Sequence, residues 1–142
     1  MDKLNTISTL SEDQKTQFVS ELRFIRAYVY FEHVKRMGGI PIITEELIYD
    51  FGGDPTYLQF PRNTEAEVYD FIISEMEAIA PTLGIGGSNR RANRFTAMAV
   101  VRRTELFPGS FAQYSSEMGS PIILPGRELG KDTSNTDEYY ST

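Results

Sequence analysis

The amino-acid sequence contains no cysteine and only one histidine. The absence of thiols excludes disulfides, cysteine nucleophiles and zinc–thiolate sites. No apolar run approaches the ~18 residues that a membrane-spanning helix needs. The polar N-terminus lacks the apolar core of a signal peptide, which leaves a cytoplasmic protein or a piece of an exported one. Basic residues are also few, with 14 Lys and Arg against 20 Asp and Glu. This balance argues against a general nucleic-acid binder, which needs a basic face to neutralise phosphates.

Helical patterning is what the 142 residues do contain, and the chain is long enough to bury the core of one domain. A capping box of Ser11 and Gln14 begins the first helix, which runs to Met37 before two glycines. One apolar stripe of this helix comprises Phe18, Leu22, Ile25 and Val29. A second side carries Phe24, Tyr28, Phe31 and Val34. Two apolar sides predict neighbours on both, as in stacked helix layers.

Two more helices follow an irregular, aromatic-rich loop. The second begins at a capping box of Thr64 and Glu67 and ends at Pro81. The third begins near Asn93, and Pro108 within it predicts a kink or a break. We therefore expect a single all-α domain over residues 1–142, with residues 117–142 forming a loop or tail.

Three stretches resemble, in order and with matching gaps, the SusD/RagB family of glycan-binding outer-membrane lipoproteins of Bacteroidota. The stretches are LRFIRAYVYFEHVKRMGGIPIITE, PRNTEAEVYDFIISEMEAIAPTL and NRRANRFTAMAVVRRTELFPGSFAQYS. In the first, the likeness is carried by Arg23, Phe24, Arg26, Ala27, Tyr28, Tyr30, Phe31, Gly38, Gly39, Pro41, Ile42 and Ile43. In the second, it is carried by Arg62, Thr64, Glu67, Val68, Tyr69 and Ile72. Pro108 departs from the family pattern, which supports an interruption of the third helix.

The resemblance implies tetratricopeptide-like helix pairs with long irregular loops. It also implies capture of an oligosaccharide or polysaccharide and its delivery to a SusC-like, TonB-dependent transporter, a route of nutrient uptake and polysaccharide utilization. Family members lie on the extracellular face of the outer membrane, anchored through a lipid-bearing cysteine that this chain lacks. Because members are several-fold longer, we expect this chain to be an internal fragment that holds the early scaffold helices.

The irregular loop between the first two helices holds the best ligand candidates. Its rings are Tyr49, Phe51, Tyr57 and Phe60, and its polar side chains include Asp50, Asp54 and Gln59. Rings on a loop can stack on a sugar while neighbouring polar groups bind its hydroxyls. The alternative is that the rings hold the loop against the scaffold. We single out Tyr49 and Tyr57 as the predicted ligand-binding residues.

Other conspicuous residues favour structural roles. The rings of the first helix are expected in the core, and Arg23 and Arg26 in ion pairs. His33 lacks the partners that catalysis or metal binding needs. Glycoside hydrolysis needs two carboxyls at a set separation, whereas Glu65 and Glu67 suit a helix N-terminus.

We therefore expect no enzyme, no cofactor and no metal site. A helical-repeat scaffold that binds a protein partner and no sugar is the alternative function. In either case the two apolar sides of the first helix predict self-association or marginal stability of this chain.

Overall fold

The computed structural model describes residues 9–86 and 90–114. All regular structure in these residues is helical: α1 (Glu12–Met37), a 3₁₀ turn (Thr56–Leu58), α2 (Glu65–Ile79) and α3 (Arg94–Tyr114). The all-α prediction is confirmed, and the loop or tail predicted at 117–142 lies outside the described residues. Across that described part of the chain, we find no helix with the length and apolarity of a membrane span.

Both predicted capping boxes are present. The Ser11 hydroxyl accepts the N–H of Gln14 at 3.3 Å, and the Gln14 side chain accepts the N–H of Ser11 at 3.1 Å. At α2, Thr64 and Glu67 exchange the same pair of bonds at 3.2 and 2.8 Å. These bonds satisfy donors that a helix N-terminus leaves without partners, so the two start points follow from local sequence.

Gly38 ends α1 as the double glycine predicts. Its φ is 70° and its ψ is −141°, a combination that L side chains rarely adopt, and its N–H bonds to the Val34 carbonyl at 2.9 Å. The helix therefore stops within one residue of Met37. The chain then leaves in an irregular path toward the loop.

The core is built around α2, which packs on both α1 and α3. Its buried residues are Val68, Tyr69, Ile72, Met76 and Ile79. Phe31 of α1 meets Phe107 of α3 edge to face, with ring centroids 5.5 Å apart. Tyr30 meets Phe71 of α2 in the same way at 5.2 Å. Such edge contacts add to the apolar burial that holds the three helices together.

The two sides of α1 differ in burial, which corrects the prediction of neighbours on both. Phe31 and Val34 are fully buried. In contrast, Leu22, Ile25 and Val29 are 46%, 56% and 45% exposed. The apolar pattern identifies both sides correctly, but among the described residues only one side has a covering layer. The exposed side is named the outer stripe, comprising Leu22, Ile25 and Val29.

Helix α3 runs through Pro108, so of the predicted kink or break the break is wrong, and the kink stays a prediction. Proline removes the hydrogen bond to the Thr104 carbonyl and crowds it. Both Pro108 and Thr104 are nevertheless fully buried, and the neighbouring Phe107 packs on Phe31. The burial of Thr104 and Pro108 and the contact of Phe107 with Phe31 therefore favour a continuous helix against the local penalty.

Charged side chains join the helices at their rims. Glu75 of α2 accepts two bonds from Arg23, at 2.7 and 3.1 Å, and one from Arg26 at 2.7 Å. These bonds lower the pKa of Glu75, chiefly through Arg23. Glu21 pairs with Arg91, whose guanidinium also lies over the Phe18 ring at 5.1 Å. The predicted structural role of Arg23 and Arg26 is confirmed.

Candidate functional site

The segment between α1 and α2, residues 44–61, is named the aromatic loop. Side chains of the scaffold fix its first end. The Tyr30 hydroxyl accepts the N–H of Ile43 at 2.7 Å and lies 3.2 Å from the Pro41 carbonyl. Asn63 accepts the N–H of Ile42 through its side chain at 2.9 Å and donates its own N–H to the Ile40 carbonyl at 3.3 Å. The chain therefore enters the loop in a defined direction.

Arginines hold both ends of the aromatic loop. Arg62, directly after it, donates to the carbonyls of Met37 and Gly39 at the end of α1. Arg26, on α1, donates to the Thr44 carbonyl at 3.2 Å. A planar guanidinium has several donors in a fixed fork, so each arginine can bind a carbonyl while keeping another contact. The two ends of the loop are thus tied to the same helix.

Inside the loop, the two predicted ligand residues bind the backbone with their hydroxyls. Tyr57 accepts the N–H of Asp50 at 2.8 Å, and its hydroxyl lies 3.1 Å from Asp50 Oδ1. Tyr49 accepts the N–H of Gly53 at 3.2 Å. Tyr57 is half exposed. Both tyrosines therefore fix the loop through their oxygens, and the rings remain the parts that could meet a ligand.

Phe51 is the most exposed ring of the loop, at 86%. Its φ is +61°, which is costly for a residue with a bulky side chain. The ring meets Tyr49 edge to face, with centroids 5.1 Å apart. The turn thus presents an apolar ring to water in a conformation that unconstrained phenylalanine avoids.

Two aspartates shape the electrostatics of the same turn. The Gly52 N–H and the Tyr57 hydroxyl lower the pKa of Asp50. The hydroxyl and N–H of Thr56 lower the pKa of Asp54. Both groups are exposed. They are therefore ionised near neutral pH, and each also serves as a hydrogen-bond acceptor that orders the turn.

Sequence reasoning found the ring-bearing loop but missed how it is held. Tyr30 was expected in the core only, although a tyrosine in place of phenylalanine signals a hydroxyl that needs a partner. The bonds of Arg62 across to the end of α1 had no sequence signal, because they join residues 23 and 25 apart. Phe51 was included among the candidates, but its backbone conformation was not foreseen.

The remaining sequence candidates lie apart from the loop or have structural partners. The imidazole Nδ1 of His33 lies 2.9 Å from the Val29 carbonyl on its own helix. Glu67 serves the α2 capping box, and the N–H of Thr64 lowers its pKa. Within residues 9–86 and 90–114, no three His, Asp or Glu side chains converge as metal ligands.

A groove of about 260 Å³ lies between the end of α2 and the start of α3. Its lining comprises Glu77, Ala80, Pro81, Arg94, Met98, Val101 and Arg102. The lining mixes apolar and oppositely charged groups, and none of the predicted site residues lies there. The aromatic loop therefore remains the candidate site, because it holds the residues that the sequence predicts to contact a ligand.

Comparison with known proteins gives consistent likenesses to longer proteins. No protein-family model matches the chain. A SusD-like protein of Formosa agariphila is 23% identical over 107 residues, which cover 75% of this chain and 20% of that protein. The chain thus spans about a fifth of the length of the curated relative that it matches.

Solved structures share the fold. A SusD-like protein of Bacteroides fragilis is 30% identical with a TM-score of 0.61, covering 78% of this chain and 22% of that one. A laminarin-binding SusD-like protein is 24% identical with a TM-score of 0.66, over 81% and 24% of the two chains. A structure with a xylogluco-oligosaccharide is 25% identical with a TM-score of 0.56, over 85% and 27%. The predicted tetratricopeptide-like helix pairing is confirmed by this shared fold.

Proposed function

Because the chain is SusD-like and corresponds to part of longer SusD-like proteins, we propose that it belongs to a protein that captures oligosaccharides at the cell surface. The captured glycan is handed to a TonB-dependent transporter of the outer membrane, on whose extracellular face the whole protein lies. Two similar structures support the first step, since one is laminarin-binding and another holds a xylogluco-oligosaccharide. The transporter step rests on the family resemblance.

The observation that carries the proposal for this chain is the aromatic loop. Its ends are tied to α1, and the rings of Phe51, Tyr57 and Phe60 are exposed on a segment ordered by its own hydrogen bonds, whereas the ring of Tyr49 is partly buried. Aromatic faces bind the apolar C–H faces of pyranose rings, while neighbouring polar groups bind hydroxyls. We assign Tyr49 and Tyr57 to ligand contact through their ring faces, with their hydroxyls committed to the backbone of the loop.

The proposed action is binding without chemistry. Glycoside hydrolysis needs an acid and a base, or an acid and a nucleophile, at a set separation across the sugar. In the aromatic loop, Asp50 and Asp54 each accept bonds that favour the ionised form, which is unsuited to a general acid near neutral pH. Capture by ring stacking and hydroxyl contacts needs no cofactor.

Affinity electrophoresis against a panel of polysaccharides tests the proposal. We expect retardation by at least one glycan, lost in a Tyr49→Ala/Tyr57→Ala variant. A Tyr49→Phe/Tyr57→Phe variant keeps both rings and removes both hydroxyls, so it separates stacking from loop order. Retardation retained by the phenylalanine variant identifies the rings as the contact. No retardation by any glycan refutes capture by this chain.

The outer stripe of α1 favours a second candidate function, a helical scaffold that binds a protein. Leu22, Ile25 and Val29 form an apolar surface on a helix, a form of surface that partner proteins use. A sample that binds no polysaccharide, yet binds a partner through this stripe, would favour the scaffold. Loss of that binding on Ile25→Gln would assign it to the stripe.

A further inference from the structure

The aromatic loop has a one-sided charge. Residues 44–61 carry Glu45, Glu46, Asp50 and Asp54 and no lysine, arginine or histidine. All four acidic residues are exposed in the structure. Two of them flank Phe51 closely in sequence, at positions 50 and 54. An exposed ring is thus set in a field of negative charge.

The nearest cations along the chain do not offset this field at the turn. The guanidinium of Arg62 is held against the carbonyls of Met37 and Gly39, at the base of the loop. The guanidinium of Arg26 is held by Glu75 and the Thr44 carbonyl, also at the base. Both cations are therefore committed to the scaffold, and residues 44–61 contain no lysine, arginine or histidine of their own.

From this juxtaposition we infer that Phe51 is the sugar platform of the aromatic loop and that it takes neutral glycans in preference to sulfated or uronate-rich ones. The inference rests on the proposed function and deepens it. The open face of Phe51 suits a pyranose ring, because stacking needs an apolar face and no charge. The surrounding carboxylates can accept hydrogen bonds from neutral hydroxyls, whereas they repel sulfate or carboxylate groups on a chain.

The expected difference in affinity between neutral and anionic glycans follows from the screened repulsion between charges. At about 10 Å in water and 0.1 M salt, the repulsion between one carboxylate and one anionic sugar lowers affinity by roughly 1.3-fold. The three carboxylates of Glu45, Asp50 and Asp54 together therefore disfavour each anionic group by roughly twofold in affinity. Repeated charges along a polymer multiply that factor, and higher salt reduces it.

Affinity electrophoresis with matched probes provides the test, using laminarin and xyloglucan, each with and without chemical sulfation. We expect a neutral probe to retard the chain more than its sulfated derivative. Phe51→Ala should abolish retardation, whereas Phe95→Ala should not, because Phe95 is an exposed ring on α3, 61% exposed, outside the loop. Equal circular-dichroism melts of the two variants show that neither change acts through folding.

Neutralising the carboxylates tests the preference for neutral glycans separately from the role of Phe51. The variant Glu45→Gln/Asp50→Asn/Asp54→Asn keeps acceptor oxygens, and we expect it to bring the sulfated probes level with the neutral ones. Glu77→Gln, on α2, is the control and should change nothing. Stronger retardation by the sulfated probes, or unchanged retardation of Phe51→Ala, overturns this inference while capture itself stands. No retardation by any of the four probes overturns this inference, whereas capture itself is refuted when no glycan of the wider panel retards the chain.

Discussion

The ion cluster around Glu75 gives a prediction whose size follows from the geometry. Glu75 accepts three bonds at 2.7–3.1 Å from two arginines of α1, and its side chain is only 14% exposed. Glu75→Gln keeps the shape and one acceptor oxygen but removes the charge. Hydrogen bonds to charged groups contribute about 1.5–3 kcal/mol each, and both arginines would lose their counter-charge. Because the arginines are partly exposed, we expect a loss of about 2 kcal/mol in the free energy of unfolding.

Urea unfolding at pH 7 measures this loss. With a slope of about 2 kcal/mol per molar, 2 kcal/mol lowers the midpoint by about 1 M without a change in slope. Glu77→Gln is the matched control, because Glu77 is exposed on the same helix. Its change should lie within about 0.5 kcal/mol.

The pH dependence adds a second check on the same reasoning. The arginines lower the pKa of Glu75 in the folded state. A carboxyl with a lowered folded pKa stabilises the fold fully above its unfolded pKa, which is about 4.3 for glutamate. This contribution is lost as the pH falls from there through the folded pKa. The gap between wild type and Glu75→Gln should therefore close in acid. A Glu75→Gln variant as stable as Glu77→Gln at pH 7, or a gap that persists in acid, would refute the account.

Three further changes test other parts of the fold. Pro108→Ala should raise the free energy of unfolding by about 1 kcal/mol or more, because an interior proline costs a helix about 3 kcal/mol and the loss of its buried ring offsets only part of this. Urea unfolding measures the difference. A variant less stable than wild type would show that the packing of the ring outweighs the penalty. The variant Leu22→Gln/Ile25→Gln/Val29→Gln should show less self-association in sedimentation velocity. Its free energy of unfolding should change by no more than about 1 kcal/mol, since these side chains are half exposed and glutamine suits a helix. An unchanged association state would exclude the outer stripe as the cause of self-association. Arg62→Lys loses the guanidinium fork, so amide hydrogen exchange should become faster than in wild type in the aromatic loop and stay unchanged in α2. Equal changes in exchange rate in the loop and in α2 would contradict the role of Arg62 in holding the loop.

Local sequence predicted the helix boundaries well, since each depends on residues close in the chain. Ser11 with Gln14 and Thr64 with Glu67 lie three positions apart, and Gly38 follows α1 directly. These signals require no knowledge of the tertiary fold. Sequence therefore located α1 and α2 and the loop between them.

Features that depend on distant partners were not predictable in this way. The bonds of Glu75 span 49 and 52 residues, so the sequence indicated that Arg23 and Arg26 would find carboxylates but not which one. Local reasoning also failed at Pro108, where the helix continues through a fully buried proline. For the candidate site, composition identified the ring-bearing loop, whereas the exposure and positive φ of Phe51 emerge only from its three-dimensional path.

The tethering of the aromatic loop to α1 has a consequence for how a glycan would bind. Fixing a backbone residue costs about 1–2 kcal/mol of conformational entropy, and a slack loop would incur much of that cost at each encounter with ligand. Here this entropy is lost when the chain folds, because Tyr30 of α1 and Arg62 hold the two ends of the loop against the scaffold. Tyr30 binds the backbone of Ile43, and Arg62 binds the carbonyl of Gly39 just after α1. The loop is preorganised, so the tightness of glycan binding is coupled to the integrity of α1. A substitution at Tyr30, which lies on α1 outside the aromatic loop, would then weaken affinity by loosening the segment that carries the rings.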